Sequence, residues 1–161
     1  MSSQSNNLNA PEWVKSSSHS LVNERDLAIY MMGKEKGAEE YKEQIDDILK
    51  HNFTQSYEDT TRVLERLKDY QLNIISARLK IESIRSLKII LAIQQSDLLS
   101  EKIEDVYDFI YDLETQSNNS EYRVDFSIIK ANENFDDQCV EGDGYIYKHR
   151  LLLNEKSPRT A

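Results

Sequence analysis

Residues 63–84 read VLERLKDYQLNIISARLKIESI and hold the most regular apolar pattern in the chain. Apolar side chains recur in this stretch at alternating gaps of four and three residues, the spacing of a helix that packs along one seam. The pattern therefore predicts one long helix over about 57–94. The candidate helix seam consists of Val63, Leu67, Tyr70, Ile74, Ala77, Ile81 and Ile84.

A second set of apolar residues lies off this seam. On a helix, Leu72, Ile75 and Leu79 would project away from the seam and form a candidate second face. Burial of a large apolar side chain contributes roughly 1.5–3 kcal/mol, and three exposed ones would form an adhesive patch. We therefore predict that the helix is covered on both sides, either by other elements of the same chain or by a second copy.

Two further helices are predicted on either side of this segment. Ser20 is a suitable N-cap for a first helix over about 20–52, which a turn at about 51–55 would end. A third helix is expected over about 97–116, because apolar residues recur there at helical spacing. These residues are Leu99, Ile103, Val106, Ile110 and Leu113.

The period of the pattern changes from helical to two after the polar residues 117–120. Apolar and polar side chains then alternate over residues 122–128, as in a half-buried strand. Residues 144–148 are a second strand candidate, and a short strand at 138–141 could pair with it. These features predict a small C-terminal antiparallel β-hairpin.

The predicted fold class is therefore mainly α (α+β): a long antiparallel helical hairpin or three-helix bundle with the β-hairpin packed on or beside it. Residues 1–19 are polar and are predicted to be a disordered arm, in which Trp13 either anchors a partner or folds back on its own domain. The helical bundle would span 20–116, the β-hairpin 117–150, and a flexible tail 151–161.

The charge balance excludes several classes of partner. The 161 residues include 20 basic and 29 acidic side chains, a formal net charge of −9. Binding to nucleic acid or to anionic lipid requires a basic face, so neither partner is expected. A secretion signal and a membrane-length apolar segment are both absent from the pattern, which predicts a cytoplasmic protein.

The acidic charge is concentrated in one segment. Residues 96–114 carry seven acidic side chains and one basic side chain, whereas residues 54–95 carry seven basic and five acidic ones. The opposite signs favour an antiparallel return of the third helix along the second. The candidate acidic patch consists of Glu101, Glu104, Asp105, Asp108 and Asp112.

Residue types with catalytic or metal-binding chemistry are few and scattered. The three histidines lie on separate segments, and Cys139 is the single cysteine, with no base or positive charge nearby in sequence. The acidic run 132–144 resembles a calcium loop only superficially, because the positions that require Gly and Glu carry Asp137 and Asp143. We therefore predict no catalytic residue, no cofactor and no metal.

The function favoured by these observations is a non-enzymatic one. The leading hypothesis is a small acidic assembly subunit, adaptor or chaperone-like protein that binds another protein chain through apolar helix faces and forms a homo-oligomer, with a dimer favoured. A second hypothesis is an acidic inhibitor or immunity-type module that masks a basic partner through the acidic patch. The third is an enzyme with an unrecognised site near Cys139 and His149.

Overall fold

The computed structural model describes residues 13–15 and 39–150. Within these residues the chain forms five strands, three α-helices and one 3-10 helix. In chain order they are β1 (Trp13–Lys15), α1 (Glu39–Asp69), β2 (Ile74–Ser83), β3 (Ser86–Gln94), the 3-10 helix (Gln95–Leu99), α2 (Lys102–Ser117), β4 (Arg123–Ala131), α3 (Asp137–Gly142) and β5 (Tyr147–His149). The predicted helical hairpin or three-helix bundle is therefore wrong, and the chain has an α+β fold.

The strands form one mixed sheet in the order β1-β5-β2-β3-β4. Strand β3 pairs with β4 in parallel, and the other neighbours pair antiparallel. Parallel neighbours require a crossover connection, and α2 is that connection. Consequently, β1 and β4 are the two edges of the sheet among the described residues.

The stretch 57–94, which was predicted to be one helix, contains the end of α1 and all of β2 and β3. Helix α1 ends in a Schellman motif, in which the residue after the helix adopts a left-handed conformation. Here that residue is Gln71, with φ of 61°. The N–H of Leu72 donates to the carbonyl of Leu67 at 2.9 Å, and the N–H of Gln71 donates to the carbonyl of Lys68 at 2.9 Å. Glycine usually occupies this position, so the sequence carries no obvious stop signal.

Strands β2 and β3 form a hairpin joined by Ile84 and Arg85. Tight hairpin turns usually contain Asn-Gly or another glycine pair, and neither is present. The register shifts by one residue between Ile74 and Ser76, so Ile75 is the extra residue of a β-bulge. This bulge explains why Ile75 is 42% exposed, whereas Leu79 is completely buried.

The other predicted elements are correct only in part. Helix α1 continues through the turn predicted at 51–55, while residues 20–38 of the first predicted helix lie outside the described residues. The third predicted helix corresponds to α2 only from Lys102 onward, because its predicted start lies in the 3-10 helix, where Leu99 of the predicted stripe is 86% exposed. The prediction of a C-terminal β-hairpin is wrong, because β2 and β3 separate β4 from β5 in the sheet. Residues 138–141 lie in α3 and not in a strand.

One hydrophobic core lies between the sheet and the two long helices. Alternate residues of β2, β3 and β4 point into it, and each helix contributes an apolar stripe. Its completely buried members are Val63, Leu67, Leu79, Leu87, Ile89, Leu91, Ile93, Val106 and Val124. The residues assigned to a helical seam and to its second face therefore mostly contribute to the same core from different elements.

The opposite face of the sheet is covered in part by α3. Arg78 of β2 is 3% exposed and forms a two-point ion pair with Asp137, from Nε at 2.9 Å and from the terminal nitrogen at 2.7 Å. Ser76 Oγ donates to the same carboxylate at 2.8 Å, and Lys148 Nζ lies 3.2 Å from it. These contacts fix α3 on the strands, because a buried guanidinium requires a paired charge.

Trp13, predicted to lie in a disordered arm, is part of β1 and is 5% exposed. Its indole N–H donates to Ser56 Oγ at 3.0 Å, and its ring meets the ring of His149 edge-on at 5.3 Å. Of the two roles considered for Trp13, the structure shows that it folds onto its own domain. Residues 1–12, 16–38 and 151–161 lie outside the described part of the chain.

Candidate functional site

The acidic patch lies on the outer face of α2 and the turn before it. Val106, Ile110 and Leu113 form the buried stripe of this helix. With 3.6 residues per turn, the positions between them must face solvent. All five acidic residues are exposed, and none forms an ion pair with a described residue. We call this surface the acidic face; it consists of Glu101, Glu104, Asp105, Asp108 and Asp112.

Basic charge is kept away from the acidic face. Lys102 is the single basic residue of 96–114, and its Nζ lies 5.7 Å from the centre of the Tyr70 ring at the end of α1. Arg66 of α1 stacks at 4.2 Å over Phe109, on the same side of α2. Lys102 and Arg66 thus lie on the α1 side of α2 and not on the acidic face.

Two tyrosines stand beside the acidic residues. Tyr107 is 50% exposed and Tyr111 is 68% exposed. They are four residues apart, so they lie one above the other on the helix. Neither tyrosine is among the site residues predicted from the sequence. Their exposure shows that they do not belong to the core of this chain.

The same helical stripe continues to Glu114 and Asn118, which contact the outer edge of β4. Asn118 Oδ1 accepts from the N–H of Val124 at 2.8 Å, and its Nδ2 donates to the carbonyl of Val124 at 3.2 Å. Glu114 Oε2 accepts from the N–H of Phe126 at 2.8 Å. These side chains make the hydrogen bonds that a neighbouring strand would make. Burial raises the pKa of Glu114, although the hydrogen bond from Phe126 opposes this effect.

Cys139 and His149, the residues of the enzyme hypothesis, are not brought together. Cys139 is exposed on α3, and its Sγ lies 3.6 Å from Asp136 Oδ2. The negative charge of Asp136 and this hydrogen bond raise the pKa of the thiol, which disfavours the reactive thiolate. His149 lies on the opposite face of the sheet, since its neighbour Lys148 is the residue that contacts α3.

His149 is completely buried between α1 and β1. Its ring stacks on Tyr57 at 4.1 Å, with 6° between the planes. Thr61 Oγ1 donates to the carbonyl of Tyr57 at 2.8 Å and is hydrogen-bonded to Nε2 of His149 at 2.9 Å. Burial lowers the pKa of His149 from 6.5 to about 4, against a smaller raising contribution from the backbone of Tyr57. His149 is therefore neutral at physiological pH and has a structural role.

Acidification should destabilise the fold through His149. The unfolded chain takes up a proton at pH 6.5, whereas folded His149 does so only at about pH 4. The unfolded state binds more protons in this window, so this residue's contribution is present above pH 6.5 and is lost as pH falls toward 4. We expect a loss of about 2 kcal/mol between pH 7 and pH 5.

Urea unfolding at both pH values measures this loss. The variant His149→Gln should abolish most of the difference between pH 7 and pH 5, while His51→Gln, at an exposed position of α1, should leave it unchanged. An equal pH dependence in wild type and His149→Gln would contradict the assignment. The comparison of variants also removes contributions from other titrating groups, such as Glu114.

Residues 13–15 and 39–150 contain neither a metal-binding cluster nor a membrane-spanning helix. Three or more His, Cys, Asp or Glu side chains nowhere converge in a geometry that could hold a metal ion. None of the helices in this part of the chain combines the length and the apolar character needed to cross a membrane.

The geometry therefore presents two neighbouring features: the acidic face with its two tyrosines, and an edge strand that side chains of the same helix partly occupy. Comparisons of the chain with protein-family models, with curated proteins and with solved structures each returned no match.

Proposed function

We propose that this protein is a non-enzymatic interaction module that binds a basic partner protein through the acidic face of α2. The observation that carries the proposal is the exposure of all five acidic residues beside Tyr107 and Tyr111, with no intramolecular ion pair among the described residues. Such a surface attracts basic partners over a distance and orients them.

The tyrosines would supply binding affinity that the carboxylates alone do not provide. Exposed ion pairs contribute only about 0–1 kcal/mol each. Tyrosine adds contact area at low entropic cost and can stack on Arg or Lys of a partner, and it is enriched among residues that dominate binding energy. Tyr107 and Tyr111 would therefore supply affinity, and the carboxylates would supply selectivity and speed of association.

The proposed interaction surface is the acidic face and not the apolar helix faces predicted from the sequence. Leu72 and Leu79 are buried in the core of the same chain, which leaves them no surface to offer a partner. The acidic face on α2 is the better candidate, as in the hypothesis of an inhibitor or immunity-type module. The homodimer expected from the sequence stays a prediction, which light scattering of the purified full chain tests.

Charge reversal on α2 tests the proposal. The probe is a fluorescently labelled nine-residue peptide of alternating valine and lysine, titrated with the full chain at low salt. The double variant Asp108→Lys/Asp112→Lys should weaken binding by at least about tenfold, because it replaces attraction by repulsion at the centre of the face. The difference from wild type should shrink as salt screens the charges.

The matched control is Asp46→Lys/Asp47→Lys on the exposed surface of α1, which changes the net charge by the same amount. It should change the affinity by less than about threefold, because these positions lie outside the acidic face and act only through screened, long-range charge. Equal weakening by both double variants would show that net charge alone drives binding, and would overturn the assignment to α2.

A further inference from the structure

The outer edge of β4 is occupied over only part of its length. Asn118 satisfies both main-chain groups of Val124, and Glu114 satisfies the N–H of Phe126. Unpaired edge groups are a template for another strand, and proteins commonly block them. The first half of this edge is blocked by Glu114 of α2 and by Asn118, the residue that follows α2.

The second half of the edge is open within the described residues. In a parallel pair, successive residues direct their N–H and C=O groups alternately toward the two sides of the strand. Arg123 donates toward β3, to the carbonyl of Arg85 at 2.8 Å, and Val124 faces outward to Asn118. By this alternation the N–H and C=O of Ile128 also point outward. No described residue outside the β3–β4 ladder bonds to them.

The exposed tyrosines lie along this open half. Four residues of helix rise about 6 Å, and two residues of strand rise about 6.6 Å. The hydrogen bonds pair Asn118 with Val124 and Glu114 with Phe126. One turn back along the helix therefore corresponds to two residues forward along the strand. Continued further, it places Tyr111 level with Ile128 and Tyr107 near the end of the strand.

We propose that an extended basic segment of a partner protein adds to the sheet as a sixth strand at Ile128, beside Tyr107 and Tyr111. Main-chain hydrogen bonds to Ile128 would provide affinity, as in other cases of strand addition. The adjoining acidic face would select basic side chains by charge complementarity. This inference rests on the proposed function and specifies the conformation of the bound partner.

The variant Ile128→Pro tests strand addition on the full chain. Proline removes an N–H that the native ladder does not use and is tolerated at the outer side of an edge strand. It should weaken binding of the valine–lysine peptide by at least about tenfold, because one hydrogen bond is lost and the ring obstructs a neighbouring strand. The control Ile128→Ala removes more of the side chain but keeps the N–H, and should retain binding within about threefold.

A second measurement needs no protein variant. The same peptide, N-methylated at two consecutive central residues, cannot pair through its centre on either edge, yet it keeps its charges. Wild-type protein should bind it at least about tenfold more weakly than the unmethylated peptide. Unchanged affinity for the methylated peptide, or for Ile128→Pro, would overturn strand addition. If Asp108→Lys/Asp112→Lys still weakened binding in that case, the proposed function would stand.

The alternative occupant is a second copy of this chain. Light scattering should show that Ile128→Pro leaves the mass of the protein unchanged, because a second copy does not occupy this edge. A wild-type dimer that Ile128→Pro converts to a monomer would assign this edge to self-association and overturn the basic partner.

Discussion

Leu79→Ala is expected to lower the free energy of unfolding by about 3 to 5 kcal/mol. Leu79 is completely buried between the sheet and the helices, so truncation removes its apolar contacts and leaves a cavity that close-packed neighbours fill only in part. Ile75→Ala should cost less than about 1 kcal/mol, because Ile75 is the bulged residue of β2 and is 42% exposed.

Urea unfolding followed by circular dichroism measures both variants. The comparison also distinguishes the two interpretations of residues 63–84. On a helix, Leu79 and Ile75 would lie on the same side, one turn apart, and would respond alike. Equal losses at the two positions would therefore contradict the bulged strand, whereas a difference of several kcal/mol supports it.

Arg78→Met is expected to cost about 3 kcal/mol, the lower end of the range for breaking a buried ion pair. Arg78 donates twice to Asp137 and once to the carbonyl of Tyr145, at 2.8 Å. Burial alone would raise the pKa of Asp137, yet hydrogen bonds from Arg78 and Ser76, with the nearby positive charges, hold it well below its usual range. Loss of the guanidinium leaves the partly buried carboxylate of Asp137 with fewer hydrogen bonds and less positive charge around it. The attachment of α3 to the sheet should therefore be lost.

Lys80→Met is the matched control for Arg78→Met. Lys80 lies two residues along the same face of β2, but its side chain is 35% exposed and its contact with Glu82 is 3.8 Å long. Its replacement should change stability by no more than about 0.5 kcal/mol. A loss at Arg78 as small as that at Lys80 would show that the pair with Asp137 does not hold α3.

The apolar spacing of the sequence was sufficient to predict the element type where one element presents one face to the core. Helix α2 follows the predicted apolar spacing, with Val106, Ile110 and Leu113 buried. Strand β4 follows the predicted alternation, with Val124 buried and Arg123 exposed. In both cases the period agrees with the final environment, so tertiary contacts did not alter the element type.

The apolar spacing predicted the wrong element type where tertiary contacts determine that type. The gaps of three and four across residues 63–84 arise from a helix end, a bulged strand and a turn placed in succession. Both breaks lack glycine: Gln71 adopts the left-handed conformation, and Ile84 with Arg85 forms the turn. Burial of Leu67 and Leu72 in one core stabilises the helix end. The spacing of apolar residues in the sequence contains no information on such contacts.

The acidic face could be predicted because exposed charge is a local property of composition. The blocked edge of β4 could not, since it depends on the distance between a helix and a strand that follows it. Asn118 in particular was assigned to the polar residues 117–120 that end the predicted helix, with no indication that it would bond both the N–H and the carbonyl of Val124. A polar residue that ends a helix before an edge strand is the one signal that could have suggested it.

Strands β1 and β5 pair across nearly the whole chain, with Trp13 opposite His149. Contacts so remote in sequence incur the largest loop-closure entropy, so we expect them to form late in folding. Trp13 is also the single tryptophan of this protein. Intrinsic fluorescence therefore monitors the pairing of β1 with β5, whereas far-ultraviolet dichroism monitors the helices. A mismatch between the two signals during denaturation would identify the terminal strands as a separately opening unit.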